Sequence, residues 1–267
     1  MHDLSSAKFA FLDLETTGLS PWFGDRICEV GIVITEGRRI RGTYQTLVNP
    51  ERELSFGAAS TNGLKDEELA AAPRFGEIAA EVAKRLHSRV IVCHNASFDL
   101  QFLDNEFRRL GDEVQIPNLV DTLLLARAHF QFPSNTLASI AEALKVPVRQ
   151  EHRALADALT DRAIFFRMMD ALKAENRPLD DFIGIYNSPA WPNDGIQLPT
   201  ELGEALYSGR RVHITYVDAN GEHTRRWVTP LQVLGLADYI YLQGYCHLRQ
   251  AERSFRLDRI VDLEVEA

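Results

Sequence analysis

The stretch Lys8-Phe-Ala-Phe-Leu-Asp-Leu14, which continues into Glu15-Thr-Thr-Gly18, predicts a buried strand that ends on two acidic residues. Asp13 and Glu15 stand two residues apart, so on a strand both side chains leave the same face and can share one cation. Gly18 then allows the backbone to turn sharply and approach a ligand closely. An acid pair of this kind, taken alone, is more often solvated surface or a turn cap. Its meaning therefore depends on what else the chain places beside it.

Two further acidic motifs follow in order, His94-Asn-Ala-Ser-Phe-Asp99 and His152-Arg-Ala-Leu-Ala-Asp157. Each has an ordinary structural explanation. Asp99 falls in the first turn of a predicted helix, where exposed amides favour an acid, and Asp157 could form a surface ion pair with Arg153 four residues earlier. Together, however, the three motifs supply four carboxylates, which repel one another unless divalent cations neutralise them. Carboxylate oxygens suit Mg²⁺ or Mn²⁺, so the set predicts a two-metal phosphodiesterase.

The position of His152 depends on where the last helix begins. His152 and Asp157 are five residues apart, which on a helix means a rotation of roughly 140° and a rise of about 7.5 Å. The two side chains could not face one ligand if both were held in the helix. We therefore expect His152 to lie in the loop before the helix, from where it can reach a metal-bound water.

The order of predicted elements indicates the fold class. Strands are predicted at 8–14, 27–35, 43–48 and 89–93, and helices at 65–71, 74–86, 97–111, 122–130, 136–144 and 153–172. Strands first and helices on both sides afterwards indicate an α/β sandwich, here over residues 1–175. Proline, asparagine and glycine punctuate residues 176–200, which predicts a connecting segment. Beyond it, a short helix at 201–207 and five strands within 212–265 predict a small β-barrel domain over 201–267.

Bulk composition fits two folded domains and limits the partners. The chain has 267 residues, of which 45% are hydrophobic, and its formal net charge is −9. This charge argues against a protein that coats a long duplex, because such affinity comes from basic groups, but a strand end in a metal-filled cleft remains compatible with it. No apolar stretch is long enough for a secretory signal or a membrane span, so we expect a cytoplasmic protein without a membrane partner. The three cysteines have no zinc or disulfide spacing.

The ordered trio of motifs, across about residues 7–172, resembles the DEDD exonucleases with a histidine in the third motif. This is the ribonuclease H-like family of the DNA polymerase III proofreading subunit. The resemblance implies that Asp13, Glu15, Asp99 and Asp157 are the metal ligands and that His152 is the general base.

The same resemblance suggests two substrate contacts. Leu19, just past the glycine turn, would wedge against the terminal base, and backbone amides near Thr16 would hold the 3′ end. One departure is visible at Thr61-Asn-Gly-Leu64, where many relatives carry a His-Gly-Ile/Leu segment. A substrate contact at that segment is therefore not expected to match the family pattern.

Residues 201–265 resemble the WYL domain, a bacterial SH3-like barrel. The matching segments are Trp227-Val-Thr-Pro230, Tyr239-Ile-Tyr-Leu242 and the run from Arg253 to Ile260. All basic residues of this domain are arginines, whose forked guanidinium groups grip phosphate and stack on bases. Arg253, Arg256 and Arg259 are thus candidate contacts to a nucleic acid or nucleotide. The alternative is an ion pair within the barrel, such as Arg256 or Arg259 with Asp258.

These observations predict a metal-dependent exonuclease that removes nucleoside 5′-monophosphates one at a time from the 3′ end of single-stranded DNA. The reaction would be a two-metal hydrolysis with two Mg²⁺ or Mn²⁺ ions, and the barrel would be a binding or regulatory accessory. One alternative is an exonuclease that trims RNA. Another is a ligand-sensing regulator in which the nuclease fold is only a scaffold. Four mutually repulsive acids argue against the scaffold, which has no reason to keep them together.

Overall fold

The computed structural model describes residues 4–19, 21, 24–116, 118–148, 152–174, 177–184, 198–218, 220–236 and 239–266. These residues form two five-stranded sheets, one in each half of the chain. Helices flank the first sheet on both sides, which confirms the predicted α/β class. None of the helices in the described part of the chain is long and apolar enough to cross a membrane.

The first sheet has the order β3-β2-β1-β4-β5, so the strand that carries the first motif lies at its centre. Its strands are β1 (Lys8–Thr16), β2 (Ile27–Glu36), β3 (Arg39–Leu47), β4 (Val90–Cys93) and β5 (Leu119–Asp121). β1 pairs antiparallel with β2 and parallel with β4, and β4 continues parallel to β5. Side chains of β1 are buried on both faces of the sheet, which explains the continuous apolar run before Asp13.

Among the described residues the first domain has seven helices, and the last five of them cover the two faces of the sheet. The seven helices are α1 (Phe56–Asn62), α2 (Asp66–Ala70), α3 (Phe75–Leu86), α4 (Ala96–Arg109), α5 (Thr122–His129), α6 (Leu137–Ala143) and α7 (Ala154–Ala171). Buried residues of α3 and α4 share one apolar cluster with β1. Buried residues of α5, α6 and α7 share a second cluster with the other face of β1. β1 is therefore covered on both faces.

Residues 177–184 pack on the first domain. A 3₁₀ turn at Leu179–Asp181 buries Leu179 in the apolar cluster formed by α5, α6, α7 and one face of β1. The backbone of Gly184 exchanges hydrogen bonds of 2.7 and 3.0 Å with the backbone of Leu119. Most of the rest of the predicted connecting segment, residues 185–197, lies outside the described residues. The three cysteines are buried free thiols, in keeping with their unpaired spacing.

The second sheet is antiparallel throughout, with the order β10-β6-β7-β8-β9. It is preceded by α8 (Thr200–Ser208) and consists of β6 (Val212–Val217), β7 (His223–Leu236), β8 (Tyr239–Cys246), β9 (Ala251–Arg256) and β10 (Ile260–Val265). One face buries an apolar cluster that includes Leu202 of α8. β9 and β10 lie at the two edges of the sheet, so we describe this domain as a sheet packed on a helix. The predicted all-β character is confirmed.

Candidate metal centre and substrate cleft

Asp13 and Glu15 lie at the end of β1, on the face directed towards α7. Phe11, two residues before Asp13, is buried against Phe165 of α7 with ring centroids 5.7 Å apart. The alternation of the strand carries this orientation on to Asp13 and Glu15. Asp157 stands in the first turn of α7. One carboxylate oxygen each of Asp13, Glu15 and Asp157 lie within 4.8 Å of one another.

Asp99 reaches the same strand from the first turn of α4. Its Oδ1 accepts a hydrogen bond of 3.0 Å from the backbone N–H of Leu14. β4 pairs with β1 only from Phe9 to Phe11, so the amide of Leu14 lies past the last β4 pairing and is available to a side chain. This hydrogen bond holds the carboxylate of Asp99 close to Asp13 and Glu15, the two neighbours of Leu14 in the chain.

The turn that aims Asp99 is held by another acid, Asp121, at the end of β5. Its carboxylate accepts from the backbone N–H groups of Asn95 at 3.2 Å and Ala96 at 3.0 Å. It also caps α5 by accepting from the amides of Leu123 and Leu124. Asn95 adopts a left-handed conformation with φ of 67°, which this capping stabilises. Asp121 is therefore a structural carboxylate that positions the second motif.

Two features bring the start of α7 close to the sheet. Gly31 of β2 is the register partner of Asp13, and a Cβ at Gly31 would lie 2.2 Å from the carbonyl carbon of Ala154. The guanidinium group of Arg153, the residue before α7, donates to the buried carboxylate of Glu29 at 3.0 and 2.8 Å. Glu29 therefore engages the guanidinium group that the alternative explanation assigned to Asp157. Asp157 is 9% exposed and accepts from the backbone N–H of Arg153 at 3.2 Å.

His152 lies outside α7, as expected, because the helix begins only at Ala154. Its side chain is exposed and its backbone has a φ of 57°, a left-handed conformation. His152 lines the same cavity as the four acids. The structure thus places all five residues of the predicted catalytic set around one space.

The electrostatics of the cluster are unfavourable without a cation. Burial raises the pKa of Asp13 well above its ordinary value, and Asp99, Asp157 and Glu15 raise it further. Burial likewise raises the pKa of Glu15, with Asp157 as the next cause. Because every neighbour of Asp13 named here is an acid, the cluster gains much more from a cation than an isolated carboxylate would.

Asp161 is a fifth acid that the sequence reasoning missed. It lies one turn after Asp157 on α7, is 2% exposed, and accepts a hydrogen bond of 2.5 Å from Thr122 Oγ1. Its Oδ2 atom has no hydrogen-bond partner among the described residues. Burial raises the pKa of Asp161 to about 7, and Asp121 and Asp157 also raise it. The spacing of four from Asp157 on a predicted helix was the signal that could have found it.

The cavity that contains these residues has a volume of about 660 Å³. Both predicted substrate contacts of the first domain line it. The hydroxyl of Thr16 is turned to the carbonyl of Gly18, to which it donates at 2.6 Å, and Leu19 packs against the apolar cluster of the C-terminal domain. Thr61 and Asn62, where the chain departs from the family pattern, line the cavity as well.

The three predicted arginine contacts lie elsewhere. Arg256 donates to Asp258 at 3.0 and 2.5 Å and lies 3.4 Å from the centroid of the Tyr239 ring, so the intradomain ion pair is present. Arg253 is exposed on β9, and Arg259 is half-buried in the 3₁₀ turn after it. None of the three is among the described residues that line the cavity.

The donor set fits hard divalent cations. It offers carboxylate oxygens from Asp13, Glu15 and Asp157 at mutual distances that one ion can bridge, with Asp99 beside them. Mg²⁺ and Mn²⁺ prefer such oxygen ligands, whereas sites for softer metals carry thiolates or several imidazoles. The raised pKa values of Asp13 and Glu15 are the expected cost of assembling this set before a cation binds.

Comparison with known proteins identifies both halves of the chain. The exonuclease family model matches residues 10–165, more than half of the 267 residues, and the WYL domain model matches residues 197–265. A DNA polymerase III subunit epsilon-like protein of Rhodobacter capsulatus is 34% identical over 176 residues, which cover 64% of this chain and 25% of that protein. The DNA polymerase III subunit epsilon of Rickettsia typhi is 35% identical over 162 residues, covering 58% of this chain and 71% of the relative.

Solved structures share the fold at lower identity. E. coli Exonuclease I in complex with a dT13 oligonucleotide matches with a TM-score of 0.57 and 17% identity, covering 90% of this chain and 55% of that one. A 3′-exonuclease described in specific recognition of the histone mRNA stem-loop matches with a TM-score of 0.57 and 17% identity, covering 73% and 96%. The chain spans only 12% to 25% of the length of the first three curated relatives. It belongs to the exonuclease family that includes the epsilon subunits of DNA polymerase III, and it carries a WYL domain after the exonuclease domain.

Proposed function

We propose that this protein is a 3′–5′ exonuclease that removes nucleoside 5′-monophosphates one at a time from unpaired DNA ends. The observation that carries the proposal is the meeting of Asp13, Glu15 and Asp157 within 4.8 Å in a cavity that Asp99 and His152 also line. A structural protein gains nothing from such a repulsive cluster, whereas a metal-dependent phosphodiesterase uses one to hold its cations.

Asp13, Glu15, Asp99 and Asp157 would hold two Mg²⁺ or Mn²⁺ ions. When bound there, divalent cations neutralise charge on the scissile phosphate and on the leaving 3′ oxygen. The carboxylates themselves fix where the phosphate can lie, because each is held by its own element: β1 by the sheet, α4 by Asp121, and α7 by Gly31 and Glu29. The site is therefore preorganised by the fold.

His152 would act as the general base that takes a proton from the attacking water. Its exposed position in the loop before α7 allows the imidazole to approach and leave the phosphate, and an imidazole nitrogen can accept a proton from water. We expect His152→Ala to lower turnover by about 10² to 10⁴-fold while strand binding is retained. His223→Ala, which removes an exposed histidine on β7, is the matched control. Unchanged turnover in His152→Ala would remove this residue from the reaction.

DNA is the preferred substrate class in this proposal because curated relatives are subunits of DNA polymerase III. RNA is the second candidate, since an exonuclease of similar fold recognises an mRNA stem-loop. For the C-terminal domain we propose an accessory nucleic-acid or nucleotide contact, for which Arg253 on β9 offers an exposed guanidinium group.

The test is digestion of matched 5′-labelled single-stranded DNA and RNA of the same sequence, with Mg²⁺, Mn²⁺ or a chelator. The proposal expects a ladder that shortens from the 3′ end of the DNA, requires the metal, and disappears in Asp13→Ala. A faster ladder on RNA would favour the second candidate. If well-folded protein cleaves neither strand, the proposed function is refuted.

A further inference from the structure

The cavity that holds the acidic cluster is shared between the two domains. The first domain contributes the acids, and the C-terminal domain contributes the beginning of α8 and most of β10, from Ile260 to Leu263. Most of the lining residues from the C-terminal domain are apolar, and two of them, Glu201 and Asp262, are acidic. A strand bound in this cavity therefore lies beside residues of the C-terminal domain.

The two domains are in direct backbone contact beside this cavity. A Cβ added to Gly57 of α1 would lie 2.5 Å from the carbonyl oxygen of Ile260 in β10, so no larger residue fits at position 57 without movement. Leu19, on the first-domain side of the cavity, packs against the apolar cluster that contains Leu202 and Ile260. β10 is thus held next to the glycine turn that follows the first motif.

A buried charged contact fixes this arrangement. Glu204 of α8 is 6% exposed, and its Oε1 accepts from both Nε, at 2.9 Å, and Nη2 of Arg127. Its Oε2 accepts from the backbone N–H of Asn135 at 3.3 Å and from Nδ2 of the same residue at 3.0 Å. A buried carboxylate satisfied entirely by groups of the other domain indicates a defined docking geometry, because each lost bond would leave a charge unpaired.

The size of the shared cavity limits what can enter. Its volume of about 660 Å³ is within the range of about 300–1,000 Å³ that holds one small-molecule ligand. A cavity of that size suits the terminal nucleotides of a single strand. The residues of β10 that line the cavity therefore help to determine which nucleic-acid ends fit beside the acids.

We propose that the C-terminal domain is a wall of the exonuclease cleft and selects unpaired strand ends, with Val261 and Asp262 of β10 as specificity-determining residues next to the strand. This proposal rests on the proposed function and specifies how the substrate class is chosen. Val261 is half-buried and lines the cavity, so it meets a base or sugar. Asp262 is exposed and lines the same cavity, and its carboxylate lies 3.7 Å from Nη2 of the exposed Arg225, so its charge opposes the phosphates that pass it only in part.

Glu264 provides a matched control for Asp262. It lies two residues further along β10, so it leaves the same face of the strand, and it is also an exposed acid. Glu264 is not among the described residues that line the cavity. Replacing either acid by lysine changes the net charge of the protein by the same amount, but only position 262 is expected to touch the strand.

The experiment measures binding of a 5′-fluorescein single-stranded DNA oligonucleotide, and of its RNA equivalent, by anisotropy in Mg²⁺. The full-length chain carries Asp13→Ala so that no cleavage occurs. Asp262→Lys is expected to tighten binding by about fivefold, the size of one exposed charge contact, and to steepen the dependence of log Kd on log salt by about 0.7. Glu264→Lys is expected to change both quantities by less than half as much. Val261→Trp, which fills the cavity without changing charge, is expected to weaken binding severalfold.

Equal effects of Asp262→Lys and Glu264→Lys, together with unchanged binding in Val261→Trp, would show that the strand does not pass β10 and would overturn the proposal. Absence of binding to either oligonucleotide would overturn it as well. Because the readout is binding, it is separate from the cleavage test. If the native protein binds through β10 but cleaves nothing, the proposed function is refuted, whereas the role of the C-terminal domain as a wall of the cleft still holds.

Discussion

Asp13 is surrounded by other carboxylates. Burial, Asp99, Asp157 and Glu15 all raise its pKa, and Asp161 adds a smaller contribution. Without a cation this arrangement opposes folding, and with one it becomes a binding site. The same carboxylates should therefore lower the stability of the metal-free protein and raise that of the metal-bound protein.

We expect Asp13→Asn to raise the melting temperature of the metal-free protein by several degrees, because the amide removes one repulsive charge without changing the shape. The stabilisation that Mn²⁺ gives to the native protein should be largely lost in the variant. Thermal denaturation in a chelator and in Mn²⁺ measures both effects. Glu67→Gln, at an exposed site on α2, is the control and should change neither. A lower melting temperature of Asp13→Asn in the chelator would contradict the repulsion argument.

Asp161 makes the metal-free protein sensitive to pH. Its pKa is about 7 in the folded protein against an ordinary value of 3.8, so between these values the folded state keeps a proton that the unfolded state has lost. Unfolding then releases a proton, and stability falls as pH rises from about 4 to about 7. We expect Asp161→Asn to flatten this decline. Urea denaturation in a chelator across that pH range measures the slope, and an identical slope in the variant would show that Asp161 does not titrate there.

At the scale of elements, the site depends on how closely α7 approaches β2. Gly31 contributes no side chain, which lets the backbone of Ala154 lie where a Cβ would be. Asp157 lies in the first turn of α7, so a shift of the helix start moves this carboxylate away from Asp13 and Glu15. The glycine is therefore a requirement of the metal site and does not serve a turn.

We expect Gly31→Ala to lower turnover by about 10²-fold, since a displacement of about 1 Å at a catalytic group has an effect of that size. Gly42→Ala on the neighbouring strand β3 is the matched control, because a Cβ there meets nothing within 4 Å. Turnover, together with circular dichroism to confirm folding, measures the difference. Equal activity of the two variants would mean that the start of α7 is not what positions Asp157.

Element prediction from the sequence succeeded where apolar periodicity was long and failed where it was short. β1, β2, α3, α4 and α7 were predicted within about two residues of their observed bounds, and the second sheet has five strands within 212–265, as predicted. α1 was missed because Phe56–Asn62 is rich in small and polar residues, and it depends on the Ser55 cap and on Gly63 with φ of 65°. β5 was missed because it has three residues and depends on pairing with β4 and on the bridge of Leu119 to Gly184.

At the scale of the whole molecule, the docking of the two domains could not be predicted from the sequence. Apolar residues of α8 and β10 are equally compatible with an isolated barrel. The sequence reasoning placed the nucleic-acid contacts of this domain on its arginines, whereas the described cavity is bordered by α8 and β10. The convergence of three distant motifs was predictable because carboxylates at the ends of neighbouring elements meet at one edge of a sheet. A domain interface has no comparable periodic signal.

Glu204 should be the residue on which this docking depends most. We expect Glu204→Ala to destabilise the protein by about 1–3 kcal/mol, because Arg127 and Asn135 lose a charged acceptor in a largely buried contact. On a duplex with a 3′ single-stranded tail, the variant should also trim closer to the duplex than the native protein. Chemical denaturation and the end point of digestion measure the two effects. Glu222→Ala, at an exposed turn, is the control. An unchanged end point in a destabilised Glu204→Ala protein would mean that docking does not limit access.

The proposed function requires that Asp13, Glu15, Asp99 and Asp157 hold the metal ions at which a strand is hydrolysed from its 3′ end. Chromatography of the nucleotides released over time from a single-stranded DNA whose last three nucleotides all differ tests this requirement. We expect the 5′-monophosphate of the terminal nucleotide to appear first, followed by the others in order, only with Mg²⁺ or Mn²⁺ and not in Asp13→Ala. Release of 3′-monophosphates, release in the opposite order, or release that persists in a chelator would contradict it.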